Sequence, residues 1–287
     1  MEQLRIGGVP EHFNLPWHLA IENDRFNGLS VHWMNYPGGT GAMSQALTNG
    51  EIDCALMLTE GTVAEIIRGK PFRIVQNYVV SPLLWGIHVA AKGSIQHEND
   101  IQGKVFAISR YYSGSHLMAY VDADQRSWGT DDLKFEVVKD IKGAEQALKN
   151  GKADVFLWEQ YTTQPYVDEG IFRRVGVRPT PWPAFVLVAR NDVLAEKQRV
   201  IQAVQRTINA TAEEFMEHSA KSINQVAERY GLDRNSVADW FAKTRWSTTG
   251  EVNQASLNQV VRMLTEVGII EHEVAPENLC CALTQLV

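Results

Sequence analysis

Apolar positions along the chain switch between two periods. "LRIGGV" (4–9) and "LSVHWM" (29–34) read as short strands, and between them Leu15, Leu19 and Phe26 fall at roughly helical spacing in "LPWHLAIENDRF". "GGTGAMSQALTNG" reads as a helix that opens after Pro37-Gly38-Gly39 and closes at Gly50, where a residue tolerant of positive φ is wanted. Strand "IDCALML" (52–58), helix "EGTVAEIIRGK" and strand "FRIVQNYVV" follow. The alternation of strand and helix predicts an α/β fold built on a mostly parallel sheet.

The same order restarts near residue 104. "KVFAIS" (104–109), "LKFEVV" (133–138) and "ADVFLW" (153–158) are predicted strands, separated by helices "SGSHLMAYVDADQ" and "IKGAEQALKNG". Two stretches share one wording: "ALTNGEIDCALML" (46–58) and "ALKNGKADVFLWE" (147–159) both read Ala-Leu-x-Asn-Gly-x-x-Asp, which sets Asp53 and Asp154 101 positions apart. In each, the Gly supplies a left-handed helix end and the Asp an exposed strand start, so the repeat marks equivalent corners of two α/β domains.

The C-terminal part is helical. From Asn191 to His218 a single apolar stripe runs through Val193, Leu194, Val200, Ile201, Val204, Ile208, Ala212 and Phe215, which predicts one long helix. Gly231 reads as a stop and Asp233 as the N-cap of the next helix, and Thr248-x-x-Glu251 as a capping box for a last helix ending at Gly268.

Composition and charge narrow the function. The chain has 287 residues, 45% of them hydrophobic, enough for two cores of ordinary size. A net charge of −7, from 27 Lys+Arg and 34 Asp+Glu, lacks the basic footprint of a nucleic-acid binder. No run of some 18 apolar residues predicts a membrane span, and "MEQLRIGGVPEHF" has no export pattern. The expected location is the cytoplasm, or the periplasm if a signal has been removed. Adjacent Cys280 and Cys281, with Cys54 in a predicted strand, suit a reducing compartment.

The motifs of P-loop, zincin and serine-hydrolase chemistry are missing, and "GGTG" (38–41) fails as a dinucleotide fingerprint. It remains a glycine loop at a helix N-terminus, suited to a carboxylate, sulfonate or phosphate, or else a plain tight turn. In parallel sheets ligands gather beyond the carboxyl ends of strands. That rule selects Glu11, His12 and Asn14 after the first strand, Gly39 and Thr40 after the second, and Thr59 and Glu60 after the third. It also selects Ser113, Ser115 and His116, then Trp158, Glu159 and Thr162, with Trp182 added from "TPWPAF". The mixture of polar, aromatic and small groups suits a small organic molecule.

Each candidate has a structural alternative. Glu159 either binds an amine or ring nitrogen or caps the helix after it, and His116 either binds ligand or is satisfied locally. Trp158 and Trp182 either sandwich a flat ring or belong to the core. Glu11 and His12 form an acid/base pair by spacing alone, and Glu60 is a helix-start carboxylate with or without a ligand. No residue is assigned a catalytic or metal role, and no cofactor is expected.

"LRIGGVPEHFNLPWHLA", "YPGGTGAMSQALTNGEIDCALMLTEG", "IQGKVFAISRYYSGSHLMA" and "GAEQALKNGKADVFLWEQYTTQP" resemble the periplasmic-type solute-binding proteins of the nitrate, sulfonate and thiamine-pyrimidine group over roughly residues 1–190. The resemblance implies a two-lobed type II binding-protein fold. Lobe one would be residues 1–90 with helices 187–287, lobe two residues 91–186, and the hinge near 86–90 and 185–189. It implies closure on a small organic anion or heteroaromatic ligand, with an ABC permease as candidate partner. "SGSH", "WEQYTT" and "TPWP" are similar to an unexported subgroup, in which a glycine is expected where Tyr111-Tyr112 precede "SGSH". The alternative implied is a cytosolic enzyme on the same fold, either a menaquinone-pathway lyase or hydrolase using Glu11, Glu159 or His116 as base, or a thiamine-pyrimidine synthase. The synthase carries a cysteine-rich iron motif that three cysteines do not make.

Overall fold

Short parallel strands joined by helices fold into two units in the computed structural model, which describes residues 2–287. The first unit holds the chain up to Pro82, Trp182–Arg262 and His272–Val287, and the second holds Leu83–Pro181 with Met263–Glu271. The changeovers fall at Pro82/Leu83 and Pro181/Trp182, a few residues ahead of 86–90 and 185–189, inside two strands of 19 residues.

In the first unit β1 (Gln3–Gly8) lies between β2 (Ser30–Asn35) and β3 (Cys54–Leu58), all parallel, with Ile6 facing Trp33 on one side and Cys54 on the other. The end of β8 (Phe172–Arg190) runs antiparallel to β3, from Cys54↔Ala189 to Leu58↔Phe185. Helices α1 (Leu15–Glu22), α2 (Gly39–Thr48) and α3 (Thr59–Ile67) make the connections. Gly8 is a steric requirement here, because a Cβ at that position would run into the Trp33 ring.

The C-terminal helices belong to this unit as far as Arg262, while Met263–Glu271, expected with them on lobe one, falls in the second unit. The stripe predicted over 191–218 is buried as expected at Ile201, Val204, Ile208, Ala212 and Phe215, but the backbone is two helices, α7 (Asn191–Glu196) and α8 (Gln198–Glu217). Lys197 leaves helical geometry at φ −123° and ψ 31°. Apolar periodicity reports which face is buried, and a one-residue turn that keeps the face does not disturb it. α9 (Ser219–Tyr230) ends at left-handed Gly231, and α10 (Arg234–Lys243) is capped by Asp233, as read from the sequence. The Thr248-x-x-Glu251 pattern is not a helix start: Glu251–Val252 pairs as β9 with β10 (Gln285–Leu286). α11 (Gln254–Glu266) begins later, where Asn253 Oδ1 accepts from Ser256 N at 2.9 Å.

In the second unit β5 (Val105–Ile108) lies between β6 (Lys134–Val137) and β7 (Val155–Glu159), again parallel. The second half of β4 (Phe72–Ala90) runs antiparallel to β7, from Trp85↔Glu159 to His88↔Phe156. α4 (Gly114–Gln125), α5 (Ile141–Lys149) and the short α6 (Gln164–Asp168) complete it, around a core that includes Ala107, Ala144, Leu148, Phe156 and Phe172. The length of β8 was hidden in the sequence by Pro179, Pro181 and Pro183, which ordinarily argue against a strand. They stand two apart, so their missing donors face one edge of the strand and leave the other edge able to bond. Among the described residues no helix is long and apolar enough to cross a membrane.

The repeated wording has one physical meaning in both units. Gly50 and Gly151 take φ 74° and 68°, and the next residue closes the helix end, Glu51 N donating to Ala46 O and Lys152 N to Ala147 O at 2.9 Å each. The Asp then ties its strand to a neighbour with a reciprocal pair. Asp53 N donates to Arg5 O at 2.9 Å while Asp53 Oδ2 accepts from Arg5 N at 2.8 Å. Asp154 N donates to Val105 O at 2.8 Å while Asp154 Oδ2 accepts from Val105 N at 2.9 Å. In the first unit the Arg5 guanidinium adds a second grip on Asp53, at 2.7 and 3.2 Å.

Replacing the carboxylate leaves the Arg5 N–H of β1 or the Val105 N–H of β5 without its acceptor. Asp154→Ala is expected to cost about 1–3 kcal/mol in denaturant unfolding, and Asp154→Asn, which keeps an acceptor oxygen, clearly less. Equal losses for the two variants would mean that the lock is not what the Asp supplies.

Candidate functional site

β1, β2 and β3 are parallel, so their carboxyl ends share one edge of the first unit, and the segments that follow them carry Glu11 to Asn14, Gly39–Thr40 and Thr59–Glu60. The starts of α2 and α3 meet there. Thr40 Oγ1 accepts from Leu58 N at 3.2 Å, and a Cβ on Gly61 would lie 2.8 Å from Thr40 Cγ2, so glycine is what lets the two helix starts approach. Gly39, at φ 67°, is the first residue of α2. Two bonds tie the start of α3 to β8: Thr59 Oγ1 donates to Pro183 O at 2.6 Å, and Trp182 Nε1 donates to Glu60 Oε2 at 3.0 Å.

Glu60 is the chemically unusual group of this edge. It is buried at 3% exposure, and its Oε1 has no hydrogen-bond partner. Burial pushes its carboxyl up to about 7, against the opposing pull of its own backbone N–H and of Trp182. Near neutrality the group therefore changes readily between a neutral acid that donates and a carboxylate that accepts.

The residues after β1 go elsewhere. The His12 ring packs edge-on to Trp240 at 4.3 Å, stacks on Phe13 at 4.9 Å and meets Tyr230 at 6.2 Å, which places it in an aromatic core with α9 and α10. Burial lowers its pKa to about 3, so it is neutral, and its Nε2 has no partner. Asn14 Nδ2 donates to Val9 O at 2.8 Å and closes the turn. Tyr78 and Trp246, which the sequence did not single out, both donate to Phe13 O, at 2.8 and 3.0 Å. Their partners lie 65 and 233 residues away, a separation for which no local pattern carries a signal.

In the second unit β5 and β7 are parallel neighbours, and their carboxyl ends bring the Ser109–His116 loop beside the Glu159–Thr162 turn. Ser115 Oγ accepts from Ser109 N at 3.0 Å, and Ser113 Oγ donates to Arg110 O at 2.6 Å and caps α4 at His116 N. His116 Nδ1 accepts from Tyr112 N at 3.2 Å, which puts the ring proton on Nε2, and burial lowers its pKa. The Glu159 carboxylate accepts from Tyr161 N at 3.1 Å, from Thr162 N at 2.7 Å and from Thr162 Oγ1 at 2.8 Å. It caps its own turn, and burial raises its pKa. Trp158 stacks on Phe156 at 5.3 Å with Trp85 edge-on at 6.5 Å.

Of the predicted residues, the first unit thus gathers Gly39, Thr40, Thr59, Glu60 and Trp182, and the second gathers Ser113, Ser115 and His116 beside Glu159 and Thr162. His12 and Asn14 serve the packing behind the β1 turn. A groove of about 410 Å³ between α5 and α6, bordered by Lys142, Glu145, Tyr166 and Glu169, includes none of them. Among the described residues no cluster of three or more His, Cys, Asp or Glu could hold a metal ion.

Two buried groups make stability depend on pH with opposite signs. Glu60 has its folded pKa raised above the ordinary 4.5, so its contribution is complete below 4.5 and is lost as pH rises to about 7, by on the order of 3 kcal/mol. The stability difference between wild type and Glu60→Gln is expected to change by about that amount across this window, measured by denaturant midpoints. His12, lowered from 6.5 to about 3, acts the other way and costs the folded state about 2 kcal/mol at pH 5 relative to pH 7.5. His12→Phe fills the same aromatic slot without a proton to lose, and its stability is expected to be flatter between pH 7.5 and 5. A steeper acid limb in that variant would place His12 outside the core just described.

Comparison with known proteins agrees with this fold. A family model described as Ca3427-like PBP matches residues 85–177. The Candida albicans CA3427 gene product, described as exhibiting the generic periplasmic binding protein fold, superposes with a TM-score of 0.87 at 23% identity, over 96% of this chain and 92% of its own. The periplasmic aliphatic sulphonate-binding protein SsuA of Escherichia coli gives 0.78 at 19% identity, over 100% and 94%. The alkanesulfonate-binding SsuA of Xanthomonas axonopodis pv. citri, solved with MOPS bound, gives 0.78 at 16%, over 100% and 99%. No curated protein matches the sequence. With parallel α/β units, two chain crossings and these neighbours, the chain has the type II periplasmic-binding-protein fold.

Proposed function

We propose that this protein is a solute-binding protein that takes a small organic anion, of the sulfonate or carboxylate kind. The observation that carries the reading is the placement of helix starts. α2, α3 and α4 each begin at the carboxyl end of a parallel strand, with Thr40, Thr59, Ser113 and Ser115 hydroxyls at those starts. The first-turn N–H groups and the positive end of the helix dipole favour negative charge there. Two structural neighbours are described as sulfonate-binding, which supports the same ligand class.

In this reading Glu60 supplies a buried acid that donates to the anion, with Trp182 holding its other oxygen. Closure of the two units on the ligand and delivery to an ABC permease belong to the same proposal. Two of the three groups that the enzyme alternative would use as bases are already engaged within their own turns. The Glu159 carboxylate already accepts three bonds from its own turn, and His116 Nδ1 already accepts from Tyr112.

The test is a thermal-shift and calorimetric panel of alkanesulfonates, arylsulfonates, carboxylates, nitrate and neutral heterocycles, joined to native mass spectrometry of the protein as purified. An anion at 100 times its Kd is expected to add about 2.7 kcal/mol of stability and raise Tm by several degrees. Selective stabilisation by neutral heterocycles, or silence across the whole panel with no small molecule released on denaturation, would overturn the reading.

A further inference from the structure

We infer that Tyr111 and Tyr112 are specificity-determining residues that select a ligand carrying a flat aromatic ring; this rests on the solute-binding reading above. The two side chains are 53% and 56% exposed, in a loop that follows β5 at the carboxyl edge of the second unit. Large aromatic side chains grouped at the surface mark a candidate interaction site.

The backbone beneath them shows that the exposure is held in place. Tyr112 takes φ 65°, a left-handed conformation that a glycine adopts without strain and a bulky residue does not. The loop is cross-tied to keep it there. Tyr112 N donates to His116 Nδ1 at 3.2 Å, Ser113 Oγ donates to Arg110 O at 2.6 Å, and Ser109 N donates to Ser115 Oγ at 3.0 Å. A chain that accepts a strained backbone in order to keep a tyrosine at this position is keeping the ring.

The rings stand on a built floor. His116 lies edge-on to Tyr111 at 5.3 Å and to Tyr112 at 6.0 Å, and is itself packed against Phe135 at 4.6 Å and Tyr120 at 5.1 Å. Val137, paired with Ile108 at the same edge, is 45% exposed and extends the apolar surface. The floor fixes one side of each phenol and leaves much of the rest in water. A planar ring stacked on either phenol buries apolar area against a side chain already held by His116, which is the pre-organised case for tight binding. A linear alkyl chain covers less of the two rings and gains no stacking.

The experiment compares naphthalene-2-sulfonate with propane-1-sulfonate, equal in charge, and adds neutral 2-naphthol as a probe of the rings alone. Wild type is expected to bind the aryl sulfonate at least tenfold more tightly than the alkyl one. Tyr111→Ala/Tyr112→Gly is expected to bring that ratio below threefold while the propanesulfonate Kd stays within threefold. Tyr112→Gly alone, relieved of its backbone strain, is expected to match or exceed the wild-type unfolding midpoint. In labelled protein, 2-naphthol is expected to shift the ring resonances of both tyrosines. A preserved ratio in the double variant overturns the inference, as does a Tyr112→Gly variant that loses stability and leaves the ratio unchanged. If both sulfonates bind with equal affinity and 2-naphthol leaves the tyrosines unmoved, the aromatic selection fails and anion binding stands. If neither sulfonate binds but 2-naphthol shifts both rings, the anion reading fails and the aromatic selection stands.

Discussion

The reciprocal bond between an aspartate and the backbone of the neighbouring strand is the constraint on which the rest is built. Asp53 with Arg5 and Asp154 with Val105 each close a ring of two hydrogen bonds at the point where a strand enters its sheet. A strand of five residues has little pairing of its own with which to choose a register, and a slip of one residue would turn every side chain to the opposite face. With the register set, β3 ends at Leu58 and β7 at Glu159, so Thr59 and Glu60 in one unit and the Glu159–Thr162 turn in the other arrive at the carboxyl edge of their sheets. The helix starts and buried carboxyls of the candidate site are consequences of that placement.

The carboxyls themselves show how a fold treats an acid it must bury. Glu159 is given three donors from the next turn, and the cost of desolvation is met locally. Glu60 is given Trp182 and the pull of its own backbone N–H, and its Oε1 has no partner. The first arrangement is complete without a ligand. The second leaves capacity for one more hydrogen bond, and it is this capacity that the proposed anion site draws on. His12 illustrates the opposite outcome, a polar ring surrounded by Phe13, Trp240 and Tyr230 and held neutral by burial.

Much of the fold was legible along the chain because its signals are local. Strand and helix periods located β1, β2, β3, β5, β6 and β7, and Gly50, Gly151, Gly231 and Asp233 stand at the ends and caps assigned to them. The β9 strand at Glu251–Val252 and the full length of β8 are settled by partners distant in sequence, whereas the split at Lys197 is a one-residue turn that leaves the buried face unchanged. Residue type and spacing there favoured a different, locally sensible answer.

For the candidate site the division runs along the same line. From sequence alone came the α/β class, the two-unit organisation marked by the repeat, and the list of segments that follow strands, since each depends on residues within a few turns of one another. Which members of that list keep chemistry to offer was decided only in three dimensions. Trp182 meets Glu60 across 122 residues and Thr59 meets Pro183 across 124, whereas His12 and Trp240 close on each other inside a core. Hydrogen-bond satisfaction and burial belong to the assembled surroundings of a group, and a linear pattern carries no record of surroundings that folding brings together from opposite ends of the chain.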